Sequence, residues 1–89
     1  LAADLPADAR LAGFLLDLSS RLSGADRSID RLRLAMPRAD IANYLRLATE
    51  TVSRVLRRFQ DAGLIAVERR ELELRDAAKL REIARAILR

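Results

Sequence analysis

Glu50, Ser53 and Arg54 stand at i, i+3 and i+4, which puts them on one face wherever the segment is helical. Their hydrogen-bonding capacities differ. Arg presents a rigid two-donor fork, a carboxylate only accepts, and a hydroxyl does both. Simpler readings exist for each. Glu50 would favour a helix N-terminus through the macrodipole, and Arg54 would be solvated or pair with Glu50 one turn away. The charge around them is uneven. Arg38, Arg46, Arg54, Arg57 and Arg58 face only Asp40 and Glu50 in the window 38–60, so that window holds +3 of the chain's +4. A localised basic patch points to a polyanionic partner, usually nucleic acid; a solvated helix face is the other reading.

Much other chemistry is excluded. The 89 residues contain no Cys and no His, which removes disulfides, thiolate metal sites, thiol nucleophiles, imidazole acid–base work and imidazole-bound zinc. No glycine-rich phosphate loop is present. Glu71 and Glu73 form a carboxylate pair, but on one side of a short strand, where both read as solvated. The sequence therefore reads as no enzyme. Hydrophobic residues at 51% and charged residues at 34% fit one helix-rich domain over residues 1–89. The longest wholly apolar runs are a few residues, too short to span a bilayer. Leu1 in place of Met points to a piece of a longer chain.

The elements that would hold the Glu-Ser-Arg face follow from periodicity. Leu11, Phe14, Leu15, Leu18 and Leu22 mark one face of a helix that begins near Pro6 and stops before Ser23-Gly24. A polar loop over 24–30 follows. Residues 31–36 alternate polar and apolar, reading as a strand ended by Pro37. The spacing predicts helices from Arg38 to Leu45 and from near Thr49 to Asp61, with Gly63 as the left-handed residue closing the second. Thr49 or Ala48 lies at its start, and Thr49 can cap it. Residues 64–67 and 71–74 read as a strand hairpin. Asp76 then caps a last helix carrying Leu80, Ile83, Ala84 and Ile87.

The central segment has the pattern of a helix-turn-helix. Ile41 and Leu45 would face inward from the first helix, Leu47 would plug the turn, and Val52 and Val55 would face inward from the second. Ala42 must be small because the helices cross tightly there. A two-stranded hairpin after such a unit makes a winged helix-turn-helix, mainly α with a small antiparallel β wing.

At this level the sequence resembles the C-terminal DNA-binding domain of the Crp/Fnr family of bacterial transcription regulators, most of all the Fnr branch. The resemblance rests on Arg38-Ala39-Asp40-Ile41-Ala42-Asn43-Tyr44-Leu45, on Glu50-Thr51-Val52-Ser53-Arg54 and on Arg58-Phe59-Gln60-Asp61-Ala62-Gly63-Leu64-Ile65. It implies that Glu50, Ser53 and Arg54 read bases of a TTGAT-like half-site in double-stranded DNA. The chemistry agrees, since Arg can bond guanine O6 and N7 together and Glu can accept from cytosine N4. It also implies phosphate contacts from Arg38, Thr49, Thr51 and Arg70, which would set register rather than sequence preference.

Three positions depart from the family pattern. Arg46 stands in the inter-helix turn and Arg69 in the wing turn, both where the family usually has Gly. Arg in a left-handed conformation costs about 1–2 kcal/mol, so the wing tip is expected to be longer or differently shaped. Ala48 replaces a hydroxyl residue that would touch phosphate. The resemblance further implies a bacterial cytoplasmic protein that forms a homodimer through a preceding helix, so that this segment alone is monomeric. By position it also implies contact with RNA polymerase through the loop 24–30; a plain surface connection is the alternative. No cofactor ligand lies in these residues, and the signal sensed by a preceding region stays open. The competing function is a winged-helix module for protein contact without sequence-specific DNA binding.

Overall fold

The fold is built on a long first helix. The computed structural model describes residues 5–23, 31–33, 37–69 and 71–86. Helix α1 spans Leu5–Ser23, β1 Arg31–Arg33, α2 Arg38–Leu45, α3 Thr49–Asp61, β2 Ile65–Glu68, β3 Glu71–Leu74 and α4 Ala77–Arg85. The strands form one antiparallel sheet in the order β1-β3-β2. Leu32 lies opposite Leu72, and Val67 lies opposite Leu72 on the other side. The expected strand over 31–36 is therefore seen at Arg31–Arg33, while 34–36 lie outside the described residues.

Four helices and the sheet share one apolar core. Leu11 and Leu15 of α1, Ile41 of α2, Val52, Val55 and Leu56 of α3, Ile65 and Leu72 of the hairpin and Leu80 of α4 are all essentially inaccessible. Burying each side chain of this kind stabilises the fold by about 1.5–3 kcal/mol. Ala42 is buried beside Ile41, as the tight crossing of α2 and α3 requires. Leu45 and Leu47 pack against this core from its margin. Small residues do more than periodicity suggested: Ala7, Ala9 and Ala12 of α1 are also buried.

Helices α2 and α3 both end in a left-handed residue. Arg46 has φ 58° and ψ 45°. Its amide donates to the Asn43 carbonyl at 3.2 Å, and the next amide, Leu47, donates to Ala42 at 2.8 Å. Gly63 has φ 77°. Its amide donates to Gln60 at 3.0 Å and that of Leu64 to Phe59 at 2.9 Å. Both pairs satisfy carbonyls that a helix end leaves open. Leu64 then accepts at its own carbonyl from Arg75 and Asp76, at 2.9 and 3.1 Å. This ties the start of the hairpin to its end, so β2 begins at Ile65 rather than at residue 64.

Two expectations are corrected. Thr49 does not cap α3: Ala48 is the N-cap, at φ −71° and ψ 145°, and no side chain bonds there. With Leu47 turned toward the core and Ala48 extended, the first helical residue is Thr49, one position too late for capping. The wing tip is not lengthened either. Glu68 pairs with Glu71, which leaves a two-residue connection, and Arg69 adopts φ 58° within it. Asp76 does cap α4, accepting from the Lys79 amide at 2.9 Å.

Candidate nucleic-acid interface

Helix α3 divides cleanly into two faces. Val52, Val55, Leu56 and Phe59 form the buried side. Glu50, Ser53, Arg54 and Arg57 recur at the same spacing on the other side and are all exposed. The expected Glu-Ser-Arg set thus occupies one accessible face in the first two turns. The Glu50 and Ser53 side chains have no hydrogen bond or ion pair among the described residues. Glu50 also sits in the first turn of α3, where its charge suits the helix dipole. Arg57 pairs with Asp61 one turn on, Nε to Oδ1 at 3.5 Å, with both side chains well exposed. Such a pair contributes little to stability and leaves the cation accessible.

The expected phosphate ligands differ in exposure. Arg38 opens α2 and is exposed. Thr49 is exposed at the first position of α3, and Thr51 is half-buried. Arg70 lies outside the described residues, as does the loop 24–30. Arg46 is exposed in the connection between α2 and α3, which consists of Arg46, Leu47 and Ala48.

Helix α1 makes two polar contacts with α2 and α3 that sequence reading missed. Arg58 of α3 donates through Nη2 to Asp8 Oδ1, a part-buried ion pair. Arg10 donates through Nη1 to the Leu45 carbonyl at the end of α2, at 3.2 Å. Partners so distant in sequence leave no local signal. Tyr44, 66% exposed, was also unassigned; its ring lies 5.6 Å from that of Phe14.

The sequence profile of the Crp-like helix-turn-helix domain matches residues 9–83. The chain belongs to that family. This Crp-like domain is 49% identical over 78 residues to the transcriptional activator protein anr of Pseudomonas aeruginosa, covering 88% of this chain and 32% of that protein. It is 44% identical over 78 residues to the fumarate and nitrate reduction regulatory protein of Vibrio cholerae, covering 88% of this chain and 31% of that protein. Among solved structures, FixK2 from Bradyrhizobium japonicum matches with a TM-score of 0.77 at 36% identity, covering 86% of this chain and 37% of that one. The CO-dependent transcription factor CooA from Carboxydothermus hydrogenoformans matches with a TM-score of 0.72 at 32% identity, over 88% of this chain and 36% of that one. The Crp-like domain thus spans about a third of the length of the curated relatives it matches. Its family is the Crp/Fnr group of transcription regulators, and its fold is that group's helix-turn-helix DNA-binding domain. Among the described residues, no helix is long and apolar enough to cross a membrane.

Proposed function

We propose that this domain reads a TTGAT-like half-site by laying the exposed face of α3 in the major groove. The observation that carries the reading is the division of α3, with Glu50, Ser53 and Arg54 accessible on one side and a fully packed apolar stripe on the other. A helix held by one face and presenting donors and acceptors on the other is what direct readout needs. Arg54 takes guanine through O6 and N7, Glu50 accepts from a cytosine on the opposite strand, and Ser53 adapts to either. Arg38, Thr49, Thr51 and Arg70 hold phosphates and fix register. In the longer protein, a region preceding this chain pairs two such domains on an inverted repeat. The protein acts as a bacterial cytoplasmic activator, and the loop 24–30 contacts RNA polymerase.

The test is a panel of half-site variants bound by each mutant at two salt concentrations. Arg54→Ala costs about 1–3 kcal/mol per half-site and relaxes preference at one base pair. Glu50→Ala keeps overall affinity while blurring specificity, because it also removes a negative charge near phosphates. Arg38→Ala weakens all sequences alike and lowers the salt slope by about one. If Arg54→Ala weakens every variant equally and leaves the base preference intact, Arg54 is a backbone contact and the reading face is assigned wrongly. Binding with neither salt dependence nor sequence preference would leave the protein-contact module as the function.

A further inference from the structure

We propose that Asp8 and Arg10 are positioning residues for DNA reading: together they clamp both helices of the helix-turn-helix onto α1. The proposal rests on the groove-reading role of α3 given above. Asp8 closes the first turn of α1 and Arg10 lies in the second, on either side of the buried Ala9. One arm reaches α3, where the Asp8 carboxylate accepts from Arg58. The other reaches the end of α2, where Arg10 donates to the Leu45 carbonyl. That carbonyl belongs to the residue just before left-handed Arg46. The small side chains of Ala7, Ala9 and Ala12, all buried, keep α1 low on the core. A side chain as short as Asp8 can then reach the next helix.

The ion pair adds a directed contact at the flank of the packed stripe, where it resists roll of α3 about its own axis. Arg58 lies one helical turn beyond Arg54, on the same side of the helix. Side-chain tips sit about 5–6 Å from a helix axis, so a roll of about 20° moves them by about 2 Å. A displacement of that size breaks hydrogen bonds, whose heavy-atom distances hold near about 3 Å. The Asp8 side chain is 18% exposed and that of Arg58 36%. Water therefore screens the pair less than it screens the open Arg57–Asp61 contact, where both side chains are at least 69% exposed. The second arm holds α2 at the end from which the turn into α3 departs. Any displacement of α1 would thus be passed to the reading face through two directed contacts.

The sign of the effect separates this role from plain electrostatics. Asp8→Asn raises net charge by one unit, so a purely Coulombic view expects tighter DNA binding. A lost clamp expects weaker and less selective binding. The experiment uses the full 89-residue chain with the half-site panel, and thermal melts show that each variant is folded. Asp8→Asn weakens the preferred half-site roughly tenfold, equivalent to about 1.4 kcal/mol, and flattens discrimination at the base pair read by Arg54. The salt slope stays unchanged, because no phosphate contact is lost. Asp8→Glu restores selectivity, and Arg10→Gln gives a smaller loss of the same kind.

Unchanged or tighter binding by folded Asp8→Asn, with selectivity intact, overturns the clamp while leaving the reading of α3 standing. Should Asp8→Asn not fold, Arg10→Gln decides: full selectivity in that variant overturns the clamp. A wild-type chain with no half-site preference overturns the groove reading, and the clamp with it.

Discussion

Helices α2 and α3 end in the same backbone geometry with opposite choices of residue. Each closes on a residue of positive φ, each returns two amides to carbonyls of its last turn, and each sends a leucine inward directly afterwards. At the end of α3 the left-handed residue is Gly63, which adopts that conformation without a Cβ penalty. At the end of α2 it is Arg46, which does not. The same bonds form in both places. The turn is thus imposed by what surrounds it, the inward leucine and the crossing of the helices, and the residue in the turn only sets how much strain is stored there. Arg69 makes the same point at the wing tip, where a register fixed by Glu68 opposite Glu71 leaves room for nothing longer.

The two ends can be pulled apart experimentally. The inward leucines should give the largest effect. Leu64 is 7% exposed and Leu47 is only half-buried. Leu64→Ala should therefore cost about 2–4 kcal/mol in urea unfolding, and Leu47→Ala about half of that. Equal costs would mean that the α2 turn is anchored as deeply as the other.

A middle-sized effect is expected at Gly63. A Cβ there would meet no atom within 4 Å, so Gly63→Ala isolates the cost of φ 77° from any clash. The same unfolding measurement should show a loss of about 1 kcal/mol. No loss would remove conformational strain from the account of both ends.

The smallest change is expected from Arg46→Gly. Relief of the left-handed conformation is offset by the greater freedom of Gly in the unfolded chain, so the net gain should stay below about 1 kcal/mol. A clear loss of stability would show that the Arg46 side chain makes a contact that outweighs its backbone strain.

Much of this was legible in the chain. The bounds of α2 and α3 follow from the spacing of Ile41, Leu45, Leu47, Val52 and Val55, from Pro37 before the unit, and from Gly63 after it. The exposed face of α3 follows from the i, i+3, i+4 spacing of Glu50, Ser53 and Arg54, since their exposure is the complement of the buried stripe. The start of α3 near Thr49 is legible, but its cap is not: Thr49 is a better capping residue than Ala48, and propensity says nothing of the phase that Leu47 imposes. The buried alanines of α1 were passed over because periodicity weights large side chains. Asp8 and Arg58 stand 50 residues apart, and Arg10 meets a carbonyl rather than a side chain, so neither pairing leaves a mark on local pattern.

The sheet order has a kinetic consequence. β3 lies between its sequence neighbour β2 and the distant β1, so pairing Arg33 with Glu71 closes a loop that encloses α2, α3 and β2. Closing so long a loop is entropically costly until its contents are compact, and the contact regained is only three residues long. The helix pair and the hairpin, joined by near neighbours, can therefore form ahead of it. The β1 edge would then add after the helix pair and the hairpin, giving the sheet a softer margin on the side that follows α1 while the wing itself stays zipped.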